Sequence, residues 1–201
     1  MSRERWDERY GTGELIWKAD PNRFLVEELD RLAPGRALDL ACGEGRNALW
    51  LASKGWRVTG VDFSPAGLSK ARRLAAERGL EVSWVEADVV EWQPEAAWFD
   101  VVVMMYLHLP TGQRRQVLAH AVAALAPGAT LLVVGHDTSN LLEGTGGPQD
   151  LEVLFSPEEI VEDLPGLRIE RAERVTRAVV NETGEATAVD ALVRAVRPSR
   201  T

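Results

Sequence analysis

Short apolar runs alternate with longer stretches of helical periodicity along the middle of the chain. Residues 36–41, 57–61, 81–85, 99–105 and 129–134 read as five strands. The fourth, Phe99-Asp100-Val101-Val102-Val103-Met104-Met105, is apolar almost throughout, the pattern of a central strand buried on both faces. Helical periodicity fills the gaps at 45–53, 64–79 and 111–125. Lys54-Gly55 closes the first helix, Ser64-Pro65 opens the second as N-cap and first-turn proline, and Pro127-Gly128 stops the third. Asp20-Pro21 opens a further helix that runs to about residue 32.

Past the fifth strand the pattern changes. Residues 140–150 form a polar, glycine-rich loop, and Ser156-Pro157-Glu158-Glu159 is a capping box on a short helix. Residues 168–174 and 187–196 read as a terminal pair of strands with a turn near 181–184. Strands alternating with helices at this spacing imply an α/β fold: a doubly wound, mostly parallel sheet covered on both faces. The chain reads as one domain, with a segment at 1–20, a ligand-binding core at 36–136 and terminal strands with a loop at 137–201.

Composition narrows the function classes. The 201 residues carry 23 Lys plus Arg against 31 Asp plus Glu, a formal net charge of −8, and no long basic run. A protein that holds nucleic acid mainly through its phosphates would be basic, so no nucleic-acid partner is expected. The single cysteine, Cys42, excludes an internal disulfide and any multi-cysteine metal site. No apolar run reaches the roughly 18 residues that span a bilayer, and the N-terminus has no apolar signal region. A cytoplasmic protein with no membrane partner is expected.

The turn after the first strand carries the chemistry. Asp39-Leu40-Ala41-Cys42-Gly43-Glu44-Gly45-Arg46-Asn47-Ala48 contains Gly-x-Gly-x-x-Ala, the glycine-rich pattern of nucleotide-binding βαβ units. Taken alone it also fits a tight strand-to-helix turn with no ligand. Asp39 and Glu44 would repel a pyrophosphate, whereas a ligand with an ammonium and a sulfonium would be attracted. S-adenosylmethionine carries both, together with a carboxylate for the helix N-terminus, Arg46 or an N-terminal side chain. Asp62, at the end of the second strand, is placed to accept the two hydroxyls of a ribose, and Phe63 to cover an adenine face. Ala87-Asp88-Val89 puts a third acid, Asp88, at the same edge of the sheet.

These motifs resemble those of class I S-adenosylmethionine-dependent methyltransferases over residues 6–136. Within that superfamily the chain is similar to the small tellurite-resistance and thiopurine methyltransferase-like group. The residues carrying that likeness are Trp6-Asp7-Glu8-Arg9-Tyr10, Trp17, Pro21-Asn22-Arg23-Phe24-Leu25 and Gly45-Arg46-Asn47. The resemblance implies a seven-stranded sheet with a final antiparallel strand. It implies Gly43 and Gly45 under the methionine moiety, with Ala41 and Met104 also at the cofactor. Asp62 would meet the ribose and Asp88 the adenine amino group. It further implies an N-terminal segment folded over the site, to which Trp6, Tyr10 and Trp17 belong. The product would be S-adenosylhomocysteine and the partner a small-molecule acceptor.

Methyl transfer is an in-line displacement in which the protein positions the acceptor and removes a proton. Tyr106 and His108, in the loop after the fourth strand, and His136, at the end of the fifth, are the candidates. Each has an ordinary alternative in pocket shaping or capping. Two other functions remain open on the sequence: an NAD-dependent oxidoreductase using the same glycine pattern, and a non-catalytic S-adenosylmethionine-binding protein.

Overall fold

The computed structural model describes residues 3–12, 14–16, 20–181 and 184–199. Seven strands form one sheet: β1 (Arg36–Leu40), β2 (Arg57–Asp62), β3 (Val82–Glu86), β4 (Phe99–Met105), β5 (Leu125–His136), β6 (Arg168–Asn181) and β7 (Gly184–Val196). Their spatial order is β3-β2-β1-β4-β5-β7-β6. β1 to β5 pair in parallel, while β7 runs antiparallel to both its neighbours. The helices are α1 (Arg3–Tyr10), α2 (Arg23–Leu29), α3 (Arg46–Ser53), α4 (Pro65–Glu77), α5 (Thr111–Ala124), α6 (Asn140–Glu143) and α7 (Pro157–Glu162).

The two-residue period of the strands divides the core between the faces of the sheet. Val102 and Met104 of β4 and Leu131 and Val133 of β5 pack beneath α5 and α7. Their neighbours Val101, Val103, Leu132 and Val134 pack on the other face against Phe24 and Leu25 of α2 and Ala48 and Leu51 of α3. Both strands are therefore apolar at nearly every position, as a doubly covered sheet requires. The expected caps are present: the Ser64 side chain accepts from Gly67 N–H at 3.1 Å, and Ser156 with Glu159 completes a capping box.

Several elements differ from expectation. α2 begins at Arg23 because Asn22 is extended and its side chain accepts from Phe24 N–H at 2.9 Å. Pro127-Gly128 does not separate α5 from β5. The strand starts at Leu125, and the proline–glycine pair lies in a register shift between Phe99↔Leu125 and Val101↔Thr130. The terminal strands run longer than expected: β6 has 14 residues against about seven, and β7 has 13 against about ten. Residues 3–10 lack an apolar stripe yet form α1, held by the Trp6–Tyr10 stack at 5.3 Å and by burial of Tyr10.

Candidate functional site

A cleft of about 1430 Å³ opens at the C-terminal ends of the parallel strands, where ligands bind in open α/β sheets. Its floor is the turn between β1 and α3. Ala41, Gly43 and Gly45 take φ of 56°, 54° and 81° there, the left-handed region. The two glycines serve different sides. A Cβ on Gly43 would lie 2.6 Å from Tyr10 Oη, so this glycine admits the α1 tyrosine over the turn. A Cβ on Gly45 would lie 2.7 Å from Trp84 Cη2, so this one admits β3 behind the turn. Gly45 is the N-cap of α3 and offers no side-chain acceptor. Asp39 supplies one from β1 by accepting the Ala48 N–H.

Three carboxyl groups stand at successive strand ends. Asp39 is 1% exposed, its Oδ2 has no hydrogen-bond partner among the described residues, and burial lifts its pKa to about 7 despite the Ala48 N–H. Asp62 accepts from Gly43 N–H at 2.8 Å through Oδ2 and from Ser64 N–H at 2.9 Å through Oδ1. Each oxygen keeps a lone pair for a ligand hydroxyl, and burial raises this carboxyl as well. Asp88 is exposed at the rim and accepts from Val90 N–H at 2.9 Å. Glu44 does not act as a fourth free charge. It is 4% exposed and sits 3.0 Å from Lys70 Nζ, and it also accepts from Ile16 N–H. The charge argument against a pyrophosphate therefore rests on the aspartates alone.

Lys70 also donates to the Glu14 carbonyl at 2.5 Å, tying residues 14–16 to the floor. Asp7 of α1 accepts from Ser64 Oγ, and Arg3 meets Glu86 at 2.5 Å. Trp6 and Tyr10 thus come onto the cleft wall; Trp17 lies outside the described residues.

At the other end of the cleft Tyr106, His108 and His136 come together. Ring centroids lie 5.2 Å apart for Tyr106–His136 and 5.3 Å for His108–His136. Tyr106 has φ 58°, an uncommon conformation for a bulky residue, and is pinned by its N–H to the Val134 carbonyl at 2.7 Å. Its hydroxyl donates to Asp190 Oδ2 at 2.7 Å, and Arg177 Nε donates to the same oxygen at 2.8 Å. Burial raises the Tyr106 pKa, with Asp190 adding to it. Burial also lowers His108 to about 4, helped by His136.

Ala41, Gly43, Arg46, Asp62, Phe63, Asp88 and Val89 line the cleft, as do the three acceptor-end side chains. Asp39, Gly45, Ala87 and Met104 stand behind its wall. Strand alternation turns Met104 toward α5 and presents Met105 instead. Asn22, which the family likeness includes, lines the cleft too, whereas Arg177 and Asp190 carry no signal in the sequence. Asp190 and Arg177 lie within long alternating strands, with no glycine or turn signal to mark them. The described residues contain no group of three or more His, Cys, Asp or Glu placed to hold a metal ion.

Comparison with known proteins agrees with this geometry. A methyltransferase-domain family model matches residues 37–128. The demethylmenaquinone methyltransferase of Thermus thermophilus is 39% identical over 123 residues, 60% of this chain and 54% of that enzyme. The chain spans about half the length of several curated relatives it matches, 54–55% for that enzyme and for two ubiquinone-biosynthesis O-methyltransferases. Among solved structures, the N-methyltransferase NodS of Bradyrhizobium japonicum, in complex with S-adenosylhomocysteine, superposes with a TM-score of 0.73. It is 21% identical, and the match covers 99% of this chain and 100% of that one. TehB from Haemophilus influenzae gives 0.74 at 17% identity, covering 97% of this chain and 66% of that one. The fold is that of the S-adenosylmethionine-dependent methyltransferases, seven strands with one antiparallel member.

Proposed function

We propose that this chain is an S-adenosylmethionine-dependent methyltransferase acting on a small-molecule acceptor. The observation that carries the reading is the cofactor end of the cleft. Carboxyl groups end β1 and β2 and follow β3 around a glycine turn, a setting that suits a cationic nucleoside better than a pyrophosphate. The site fits the cofactor at two checkable points. Asp62 presents two carboxylate oxygens on the cleft wall, each with a lone pair left after its backbone N–H bond, and Asp39 Oδ2 is a buried acceptor with no hydrogen-bond partner among the described residues. Bound S-adenosylmethionine would supply a methyl group on a positively charged sulfur. Asp62 would accept ribose hydroxyls, Asp88 would meet the adenine end, and Arg46 would face the carboxylate. Phe63 and Val89 would cover the base.

A small-molecule acceptor accords with the demethylmenaquinone and ubiquinone-precursor enzymes among the relatives, and with the net charge of −8. The kinship with the tellurite-resistance and thiopurine methyltransferase-like group rests on α1 folding over the cleft. In our reading the segment at 1–20 is a lid over bound cofactor. Titration calorimetry with S-adenosylhomocysteine and with NAD tests the cofactor, followed by methyl transfer from labelled S-adenosylmethionine. Binding of NAD without a response to S-adenosylhomocysteine would overturn the reading in favour of an oxidoreductase.

A further inference from the structure

Building on the methyltransferase reading, we infer that His136 and Asp190 form a general-base dyad, and that the acceptor bears a weakly acidic, phenol-like hydroxyl.

The dyad is built into the sheet. His136 of β5 and Asp190 of β7 are register partners in the antiparallel pairing. Side chains fixed on strands hold their geometry better than side chains on loops. Asp190 is fully buried, and its Oδ2 is filled by Tyr106 Oη and Arg177 Nε. That leaves Oδ1 facing His136 Nδ1 at 3.2 Å. The approach is off-line for a hydrogen bond, so neither atom has an aligned partner. Catalytic hydrogen bonds are commonly loose before substrate arrives. A carboxylate at Nδ1 puts the proton there and the lone pair on Nε2. Nε2 has no hydrogen-bond partner among the described residues, and His136 lies on the cleft wall.

His108 is engaged otherwise. Its Nδ1 is 3.2 Å from the Val153 carbonyl, and its Nε2 faces the His136 backbone N–H at 3.5 Å. Both nitrogens are taken by backbone, so His108 is a positioning residue that stacks on the His136 ring and is itself backed by Phe155 at 5.9 Å. Tyr106 keeps its strained backbone because the sheet holds it, and its hydroxyl fixes Asp190. Strain of this kind costs on the order of 1–3 kcal/mol and gathers at functional sites. Gly147 closes the arrangement: a Cβ there would sit 2.4 Å from His136 Cδ2 and 2.7 Å from Nε2.

Leu107, Leu109 and Val153 line the cleft, and Gln113, Thr145 and Asp150 line it as well. The base defines the reacting group of the acceptor. An imidazole base removes a proton from a phenol-like hydroxyl, with a pKa of about 10, far more readily than from an aliphatic one nearer the roughly 15.7 of water. In the step, the hydroxyl proton passes to His136 Nε2 as the acceptor oxygen takes the methyl group, and the carbon–sulfur electron pair returns to sulfur. Asp190 then faces an imidazolium, which later gives its proton to water.

The test uses the full chain saturated with S-adenosylhomocysteine and 4-nitrophenol as an optical probe of ionisation, at a pH where the free probe is mostly protonated. Calorimetry first establishes cofactor-product binding; its failure would remove the methyltransferase reading and this inference with it. With binding established, the parent protein should raise the ionised fraction of bound probe by about tenfold, a pKa fall of about one. His136→Gln and Asp190→Asn should each abolish that rise while still binding S-adenosylhomocysteine. Should Asp190→Asn fail to fold, His136→Gln and the parent decide. A parent complex that leaves the probe protonated or unbound, or a His136→Gln protein that ionises it equally, overturns the dyad and leaves the methyltransferase reading standing.

Discussion

Replacing Asp39 by asparagine removes a charge and keeps the acceptor that caps α3. In the folded protein burial lifts this carboxyl from 3.8 to about 7; in the unfolded chain it returns to about 3.9. The folded state therefore binds the proton more tightly. Its stabilising contribution is complete below about pH 4 and is lost as the pH climbs through 7, a total of about 4 kcal/mol. About 3 kcal/mol of that falls between pH 5 and pH 8. Parent stability alone would not show it. His108, held near 4 by burial, works in the opposite direction: its contribution is present above about pH 6.5 and lost as pH falls toward 4. The difference between variant and parent cancels that second group. Urea unfolding of both proteins without ligand should show Asp39→Asn gaining on the parent by about 3 kcal/mol from pH 5 to pH 8. A gap that stays constant across that range would refute the reasoning. A cation bound above the turn favours the ionised form, so S-adenosylmethionine binding near pH 7 should release protons, seen as a buffer-dependent heat in calorimetry.

Asp62→Ala should lower S-adenosylhomocysteine affinity by about tenfold to a few hundredfold, since charge-assisted hydrogen bonds are worth roughly 1.5–3 kcal/mol. It should also destabilise the protein, because Gly43 N–H and Ser64 N–H lose their acceptor; unchanged affinity by calorimetry would show the residue misassigned. Hydrogen exchange in residues 3–16 should slow when S-adenosylhomocysteine is added. Unchanged exchange, with unchanged affinity after deletion of residues 1–17, would reduce the segment to a packed extension.

The turn and strand ends at the proposed cofactor end of the cleft were legible in the sequence because local rules govern their backbone. Left-handed backbone at residues 43 and 45 demands glycine. A parallel strand ends in its ligand-facing residue, which marked Asp62, and a cap-plus-proline pair fixed the start of α4. Where tertiary contact overrode local signal the reading fell short. Glu44 looks like a charge offered to a ligand until Lys70, 26 positions away, is seen beside it. Gly45 looks like a cradle for a ligand until Trp84 of β3 is found filling the space its missing Cβ leaves. α1 carries no amphipathic stripe, because its anchoring contacts are polar and aromatic, spread over Ser64, Glu86 and the Gly43 turn.

The acceptor half was obscure for a topological reason. In the parallel strands the chain arrives at the cleft at each C-terminal end, so candidate residues sit just before a loop and announce themselves. β7 runs the other way, between β5 and β6, and meets the cleft in its first half. Asp190 is the seventh of its 13 residues, flanked by buried Val189 and Ala191, and nothing nearby in the sequence signals a site. Arg177 on β6 is likewise in mid-strand, one of several arginines spaced along an edge strand where charge ordinarily serves to discourage edge-to-edge pairing. Only the pairing that sets His136 opposite Asp190, and brings Arg177 and Tyr106 onto the same carboxylate oxygen, separates these two residues from that background. A reversed strand inside a parallel sheet thus moves candidate positions from strand ends to strand interiors, where periodicity alone reads them as core or edge.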